Sequence, residues 1–435
     1  MNEFIYPSNL YDLVKSRWSK ISHTGEELLP MPDEDDFNEI LNVVYHASFL
    51  TEERRRIWFR VTYLSPEALE KGSVVNADDI RTIKFDNPRI FGVSELSKLA
   101  PAADPTQVLI AVFSFGTELK IWGLLETGTE WWDLGRHEAS HARTPPNTFT
   151  VSSKSPGQVT VSRSGEIIIT LNQGKIVESS AAVLVQGPVA DFLKAGAQKL
   201  QREFLRRLKE EEGDLNKESD FSDFKYITFF ERILNRIREK FHGGTLIIIP
   251  DEISTDDVRF KDSFIIKYPC QHSSLDILAD EQVQDDLLNG LLSKLTFDNE
   301  ISYDEFSEYR SREWKLEEAQ EGVKRAAWFI SSLSAVDGAV IITDSLRLIG
   351  FGVEITAVSP NLKTVKVITD FTTNVGEIRS IEHFGTRHRS AFRFCSNVEN
   401  SVAFIVSQDG EIRVTKRVGS ELLVWSNINV TSSGF

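Results

Sequence analysis

The chain has 435 residues, too many for one ordinary domain, so two or three are expected. Its composition, 41% apolar and 26% charged, is that of a globular protein able to bury real cores. With 65 acidic against 49 basic residues, a formal net charge of −16, it lacks the basic face that general nucleic-acid binding needs.

The opening residues, "MNEFIYPSNLYDLVKSRW", lack the basic-then-apolar order of a signal peptide. Helical spacing runs from Phe37 to Phe49, and "RIWFRVTYL" (56–64) reads as a strand stopped at Ser65-Pro66. Gln107 to Leu125 reads as two strands turning near Gly116. Residues 148–178 carry hairpin signals at Pro156-Gly157, Ser164-Gly165 and Gln173-Gly174. A helix over 189–212 places Leu193, Ala197, Leu200, Phe204 and Leu208 on one face. The acidic run that follows suggests a boundary, with an N-terminal domain at 1–215 and a second at 225–435.

The second domain opens with a helix whose apolar face holds Phe230, Ile233, Leu234, Ile237 and Phe241. Gly243-Gly244 stops it, and "TLIIIP" is a buried strand. "FIIKYP" (264–269) is another strand, and about 271–320 reads as a polar insertion of helix and loop. Val323, Ala326, Ala327, Ile330 and Leu333 form a further helical face, leading into the strand-turn-strand unit "AVDGAVIITDSLRLIGFGVEI". Residues 401–425 are strand pairs turning at Asp409-Gly410. An α/β fold is expected, with a mixed sheet flanked by helices behind a β-rich α/β N-terminal domain.

Three stretches of the first half echo three of the second, in the same order. "RRRIWFRVTYLSPE" pairs with "KFHGGTLIIIPDE", and "VLIAVFSFGTELKIWGLLETG" with "AVIITDSLRLIGFGVEI". "FTVSSKSPGQVTVSRSGEIIITLNQGKIV" pairs with "VAFIVSQDGEIRVTKRVGSELLVW". A degenerate duplicate and a chance likeness of strand-turn-strand text both remain open at this level.

Cys270 and Cys395, far apart, form neither a disulfide framework nor a zinc spacing, and no run reaches the length of a membrane helix. A cytoplasmic protein is expected. "HEASH" (His137–His141) matches the zinc-protease pattern, but Gly135 and Pro145-Pro146 deny it the regular helix that pattern requires, so a loop is expected. Trp122, Trp131 and Trp132 read first as core or contact residues and second as a stacking platform. Neither a dinucleotide fingerprint nor a phosphate-binding P-loop is present; "GFGVEI" lacks the third glycine.

The sharpest feature is "FGTRHRSAFRFC" (384–395), which sets Arg387, His388, Arg389 and Arg393 within seven positions of an acidic chain. Gly385-Thr386 opens backbone N–H groups to an anion, Arg387 offers a planar fork, and His388 can donate to phosphate or bind metal. The alternative is a basic helix start on a solvated face. In "VDGAVIIT", Asp337 precedes Gly338-Ala339 at a strand start, where a ligand can approach the backbone; a plain Asp-Gly turn is the alternative.

Asp-Gly-Ala followed by Gly-Thr-Arg-His-Arg-Ser resembles the diadenylate cyclase domain, which joins two ATP molecules into cyclic di-AMP. "RIREKFHGGTLIIIPDE" and "VSQDGEIRV" extend the likeness over about 225–435. The whole chain resembles cyclases that carry a separate N-terminal region proposed as a sensor. The resemblance implies that Asp337 sits at the ribose 3′-hydroxyl and a metal, Mg²⁺ or Mn²⁺, and that Gly338 and Ala339 line the ribose. It implies that Gly385, Thr386, Arg387, His388 and Ser390 hold the phosphates, with Ser407 a further contact and His388 and Asp409 further metal ligands. It implies a homo-oligomer whose catalytic unit is a face-to-face dimer, and an unknown ligand for the N-terminal domain. Four departures stand against it: about fifty residues separate Asp337 from Arg387, an extra polar segment precedes the Asp-Gly-Ala strand, Gln408 stands where an acid is usual, and Val336 precedes Asp337 where anchored members have His. The competing expectation is a sensor that binds ATP or cyclic di-AMP without turnover.

Overall fold

Short runs of β-formers, separated by glycine turns and amphipathic helices, build two mixed sheets in the computed structural model. The structure describes residues 4–18, 29–52, 55–74, 77–129, 133, 136, 146–177, 182–212, 220–253, 262–274, 277–294, 302–370 and 375–431. The chain divides into two compact units, Met1–Glu178 with Thr431–Phe435, and Ser179–Val430. Among the described residues no helix is long and apolar enough to cross a membrane.

In the first unit, helices α1 (Tyr11–Trp18) and α2 (Glu34–Ala47) share a core with the sheet. Asp33 caps α2 by accepting from the Asp36 N–H at 2.9 Å, and Phe37, Ile40, Leu41 and Val44 bury one helical stripe. The strands are β1 (Phe59–Tyr63), β2 (Arg81–Ile90), β3 (Val108–Phe115), β4 (Glu118–Glu126), β5 (Phe149–Ser153), β6 (Gln158–Arg163), β7 (Glu166–Asn172) and β8 (Lys175–Val177). They lie in the order β2-β4-β3-β1-β5-β6-β7-β8, with β1 and β3 parallel. Ser164-Gly165 (φ 47° and 80°) and Gln173-Gly174 (φ 49° and 77°) make the doubly left-handed turns that tight hairpins favour. Trp122 is buried and donates from Nε1 to the Leu64 carbonyl at 2.7 Å, a core use; His137–His141, Trp131 and Trp132 lie outside the described residues.

The second unit opens with α3 (Pro188–Glu212) and α4 (Asp223–Glu239), followed by β9 (Gly244–Ile249), β10 (Phe264–Ser274), α5 (Ile277–Lys294) and α6 (Tyr303–Leu333). Then come β11 (Ala339–Thr343), β12 (Arg347–Ile355), β13 (Thr364–Asp370), β14 (Val375–Ser380), α7 (Thr386–Asn397), β15 (Val402–Val406), β16 (Ile412–Val418) and β17 (Glu421–Trp425). The sheet order is β10-β12-β11-β9-β15-β16-β17-β13-β14, with β9 and β11 parallel. β9, β11 and β15 are buried throughout because both faces are covered. The α3–α6 helices share a core with one face, and α7 shares a core with the other.

Three sequence expectations change here. Leu193, Leu200, Phe204 and Leu208 of α3 are buried with Phe230 and Ile233 of α4, so α3 belongs to the second unit rather than to a domain ending at 215. Lys199 of α3 is tied to Asp344 Oδ2 and Glu252 Oε1, each at 2.7 Å. Phe241 leaves the α4 face: the helix ends at Glu239, and Phe241 is exposed with φ 55°. The 271–320 segment is not merely polar, because Leu278, Ala279, Val283 and Leu287 of α5 join the core.

The two units share one topology. Strands β1, β2, β3, β4, β5, β6 and β7 occupy the places of β9, β10, β11, β12, β15, β16 and β17, and the β13–β14 pair is additional. Registers agree: Phe59 faces Ser153 as Gly244 faces Val406, and Val61 faces Ile110 as Leu246 faces Val340. The three sequence echoes fall on these matching strands, as a duplicated α/β unit requires.

Candidate functional site

Strand direction gathers the site. Thr245 lies beside Ala339 and Gly244 beside Val406, so the residues just beyond, Gly243, Asp337 and Ser407, come to one end of the second sheet. Asp337 is exposed and has no hydrogen bond or ion pair to a described residue. Gly338 is needed by the fold: at φ 125° a Cβ would stand 2.6 Å from the Val353 nitrogen. Ala339 is buried, so its backbone rather than its methyl faces the end of the sheet.

The N-terminus of α7 meets the same end. Gly385 is its N-cap and no side chain caps it, so the N–H groups of Thr386, Arg387 and His388 open an electropositive helix start. Arg387 is exposed, without an ion pair to a described residue. Its Nη1 lies 2.7 Å from the point a Cβ on Gly243 would occupy, and the Gln408 nitrogen lies 3.3 Å from that point. Arg389 is committed elsewhere, to Glu382 Oε2 at 2.7 Å. Ser390 is half-buried on the second turn, one helical step from Arg387.

His388 is 9% exposed and its Nε2 lies 3.1 Å from Arg413 Nη1. Arginine only donates, so Nε2 accepts and the proton of the neutral ring is on Nδ1. Burial first, then Arg413 and Arg387, push its pKa down to about 4, with Asp409 acting in the other direction. Glu411 holds Arg413 in place through Oε1–Nε at 2.8 Å and Oε2–Nη2 at 2.5 Å. Ser407 is spent inside the turn, its Oγ and N–H both donating to the Glu411 carbonyl at 2.9 Å. The residues the sequence reading missed are Gly243, Glu411 and Arg413. The signal for the last two was there: the two-residue strand period puts both on one face of "GEIRV".

Residues 26–126 match the family described as probable sensor domain DACNV. That stretch lies within the first unit and includes β1 to β4. No curated protein matches the chain.

The second-unit site can therefore do two things chemically. Arg387, the open N–H groups of α7 and the Nδ1 proton of His388 can bind a polyphosphate, and Asp337 can accept a proton-bearing hydroxyl. The expected metal set does not assemble. Among the described residues no three His, Cys, Asp or Glu side chains gather as a metal site, and Arg413 occupies His388 Nε2. Among the described residues Asp337 has no partner and the exposed Asp409 accepts only from the Glu411 N–H at 3.5 Å, so either carboxylate fits a Mg²⁺-type ion bound by one carboxylate together with substrate phosphates and water.

Proposed function

We propose that the second unit is a diadenylate cyclase and the first its sensor. The observation that carries this reading is the convergence of uncommitted Asp337 with Arg387 at an uncapped helix start, at one end of the sheet. The sensor-family match at residues 26–126 supports it, since it puts a probable sensor domain in the first unit, ahead of the unit that carries this site.

In this reading the triphosphate lies against the α7 N-terminus, with Arg387 forked on its oxygens and His388 donating from Nδ1. Asp337 accepts a hydrogen bond from the ribose 3′-hydroxyl and turns its oxygen toward the α-phosphate of a second ATP. Attack is in line and pyrophosphate leaves, so catalysis is positioning plus charge neutralisation. A Mg²⁺ or Mn²⁺ ion held by Asp337 would lower the negative charge on the phosphates. The product is two-fold symmetric, so two protomers face to face form the catalytic unit. Activity per protomer should then rise with protein concentration until dimers saturate; a flat dilution series would contradict the dimer.

The second reading, nucleotide binding without turnover, draws on Gln408 and on the missing metal triad. Mass detection of cyclic di-AMP after incubation with ATP and Mn²⁺ separates the two.

A further inference from the structure

The second unit carries a cleft that the proposed reaction does not use. Its volume is about 580 Å³, within the range of small-molecule sites, and its described lining includes none of Asp337, Arg387, His388 or Ser407. Chain order accounts for its place. After β12 the chain runs against α7, forms the β13–β14 pair, and returns at Ser380-Ile381 to begin α7. Thr364 pairs with Ser380, and the Ile381 N–H donates to the Lys363 carbonyl at 3.0 Å, so both ends of the added strand pair are tied together beside the helix. That pair has no counterpart in the first unit, so the shared topology does not account for the cleft.

The walls are held in place. Ser359 Oγ donates to Asn397 Oδ1 at 2.6 Å, and Asn397 Nδ2 donates to the Val358 carbonyl at 3.1 Å, which pins the loop to the end of α7. Leu362 and Ile381 anchor their segments in the core beneath α7 and give the cleft an apolar wall.

The charges in the cleft are unequal. Ala391, Phe392, Phe394 and Cys395 of α7 are buried in the core, whereas Arg393 lines the cleft, one turn beyond Arg389. Arg389 donates to Glu382 Oε2 at 2.7 Å, so the one carboxylate in the described lining is already paired. Arg393, half-buried, and Lys363, exposed, have no side-chain hydrogen bond or ion pair to a described residue. Ser380 Oγ accepts from the Glu382 N–H at 3.3 Å and keeps its own proton to donate. Two uncommitted cations and a hydroxyl donor therefore line a cleft whose carboxylate is spent. A phosphate monoester, close to a dianion at neutral pH, balances two cations, whereas a single carboxylate leaves one over. The arginine fork suits phosphate oxygens.

We propose that this cleft binds a small phosphate monoester with an apolar body. The phosphate lies between Arg393 and Lys363 and accepts from Ser380, and the body lies against Leu362 and Ile381. The site is separate from the one assigned to the cyclase reaction and does not rest on that reading.

The test is a phosphorus NMR titration of full-length protein with phenyl phosphate and with inorganic phosphate. Phenyl phosphate should bind saturably at about 1 mM or tighter, and inorganic phosphate more weakly because it has no body to bury. Lys363→Gln and Arg393→Gln should each weaken phenyl phosphate about tenfold or more, while Arg387→Ala leaves that binding in place. Lys363 is exposed, so its variant serves even where Arg393→Gln fails to fold. The inference fails if phenyl phosphate does not bind, if Lys363→Gln leaves its affinity unchanged, or if Arg387→Ala abolishes it. Inorganic phosphate binding as tightly as phenyl phosphate would overturn the apolar body. None of these results bears on turnover of ATP, so the cyclase reading stands or falls on its own assay.

Discussion

Arg387 Nη1 occupies space that a single methyl on Gly243 would claim, 2.7 Å from where that Cβ would sit. Gly243 also has φ 67°, which residues with a Cβ adopt poorly, and the Cβ would be 2.6 Å from the Val406 carbonyl oxygen. Gly243→Ala should therefore push Arg387 out of position and destabilise the second unit by more than about 1 kcal/mol. Denaturant melts and ATP calorimetry should both move. An ATP affinity equal to wild type would mean that Arg387 does not act from this position.

Arg387→Ala should weaken ATP binding about tenfold to a hundredfold, the loss of a charge-assisted phosphate contact of about 1.5–3 kcal/mol. Because Arg387 is exposed and has no ion pair to a described residue, the melting temperature should stay put. Unchanged affinity by calorimetry would reduce the cluster to a solvated helix start.

His388 links stability to pH. Its pKa falls from 6.5 to about 4 on folding, so between those values the unfolded chain binds the proton more readily. Its contribution is complete above about pH 6.5 and fades as pH falls toward 4, by up to about 1.4 kcal/mol per pH unit. His388→Gln removes that dependence, so the stability gap between wild type and variant should shrink on acidification from pH 7 to pH 4.5. A gap that stays constant would contradict the buried neutral ring.

The helix α3 should be indispensable to the second unit. Leu193, Leu200, Phe204 and Leu208 are buried there, each worth about 1.5–3 kcal/mol, a sum comparable with the whole stability of a domain. A fragment of residues 216–435 should be insoluble or molten, whereas 182–435 should give a cooperative melt. Equal behaviour of the two fragments would contradict the placement of α3.

Much of this was legible in the residues. "TLIIIP" and "VAFIV" are apolar throughout because they are central strands, and left-handed glycines mark Gly116, Gly165, Gly174 and Gly410 as turns. Strand β2 was not legible, since "RTIKFDNPRI" is largely exposed and carries Pro88, which only an edge tolerates. The allegiance of α3 was hidden because an amphipathic stripe does not say which sheet receives it. In the site, Arg387 and Asp337 stand out by type and spacing. The contact between His388 and Arg413 does not, because it joins residues 25 apart and exists only once α7 lies against β16.

The central claim is turnover, and one measurement reaches it. Purified full-length protein, incubated with ATP and Mn²⁺ or Mg²⁺, is assayed by mass for cyclic di-AMP and pyrophosphate, beside Asp337→Asn. The account predicts both products from wild type, and no cyclic di-AMP from the variant although it still binds ATP through Arg387 and the α7 N-terminus. Wild-type protein that binds ATP but forms no cyclic di-AMP at any concentration, or an Asp337→Asn variant with wild-type turnover, would contradict it.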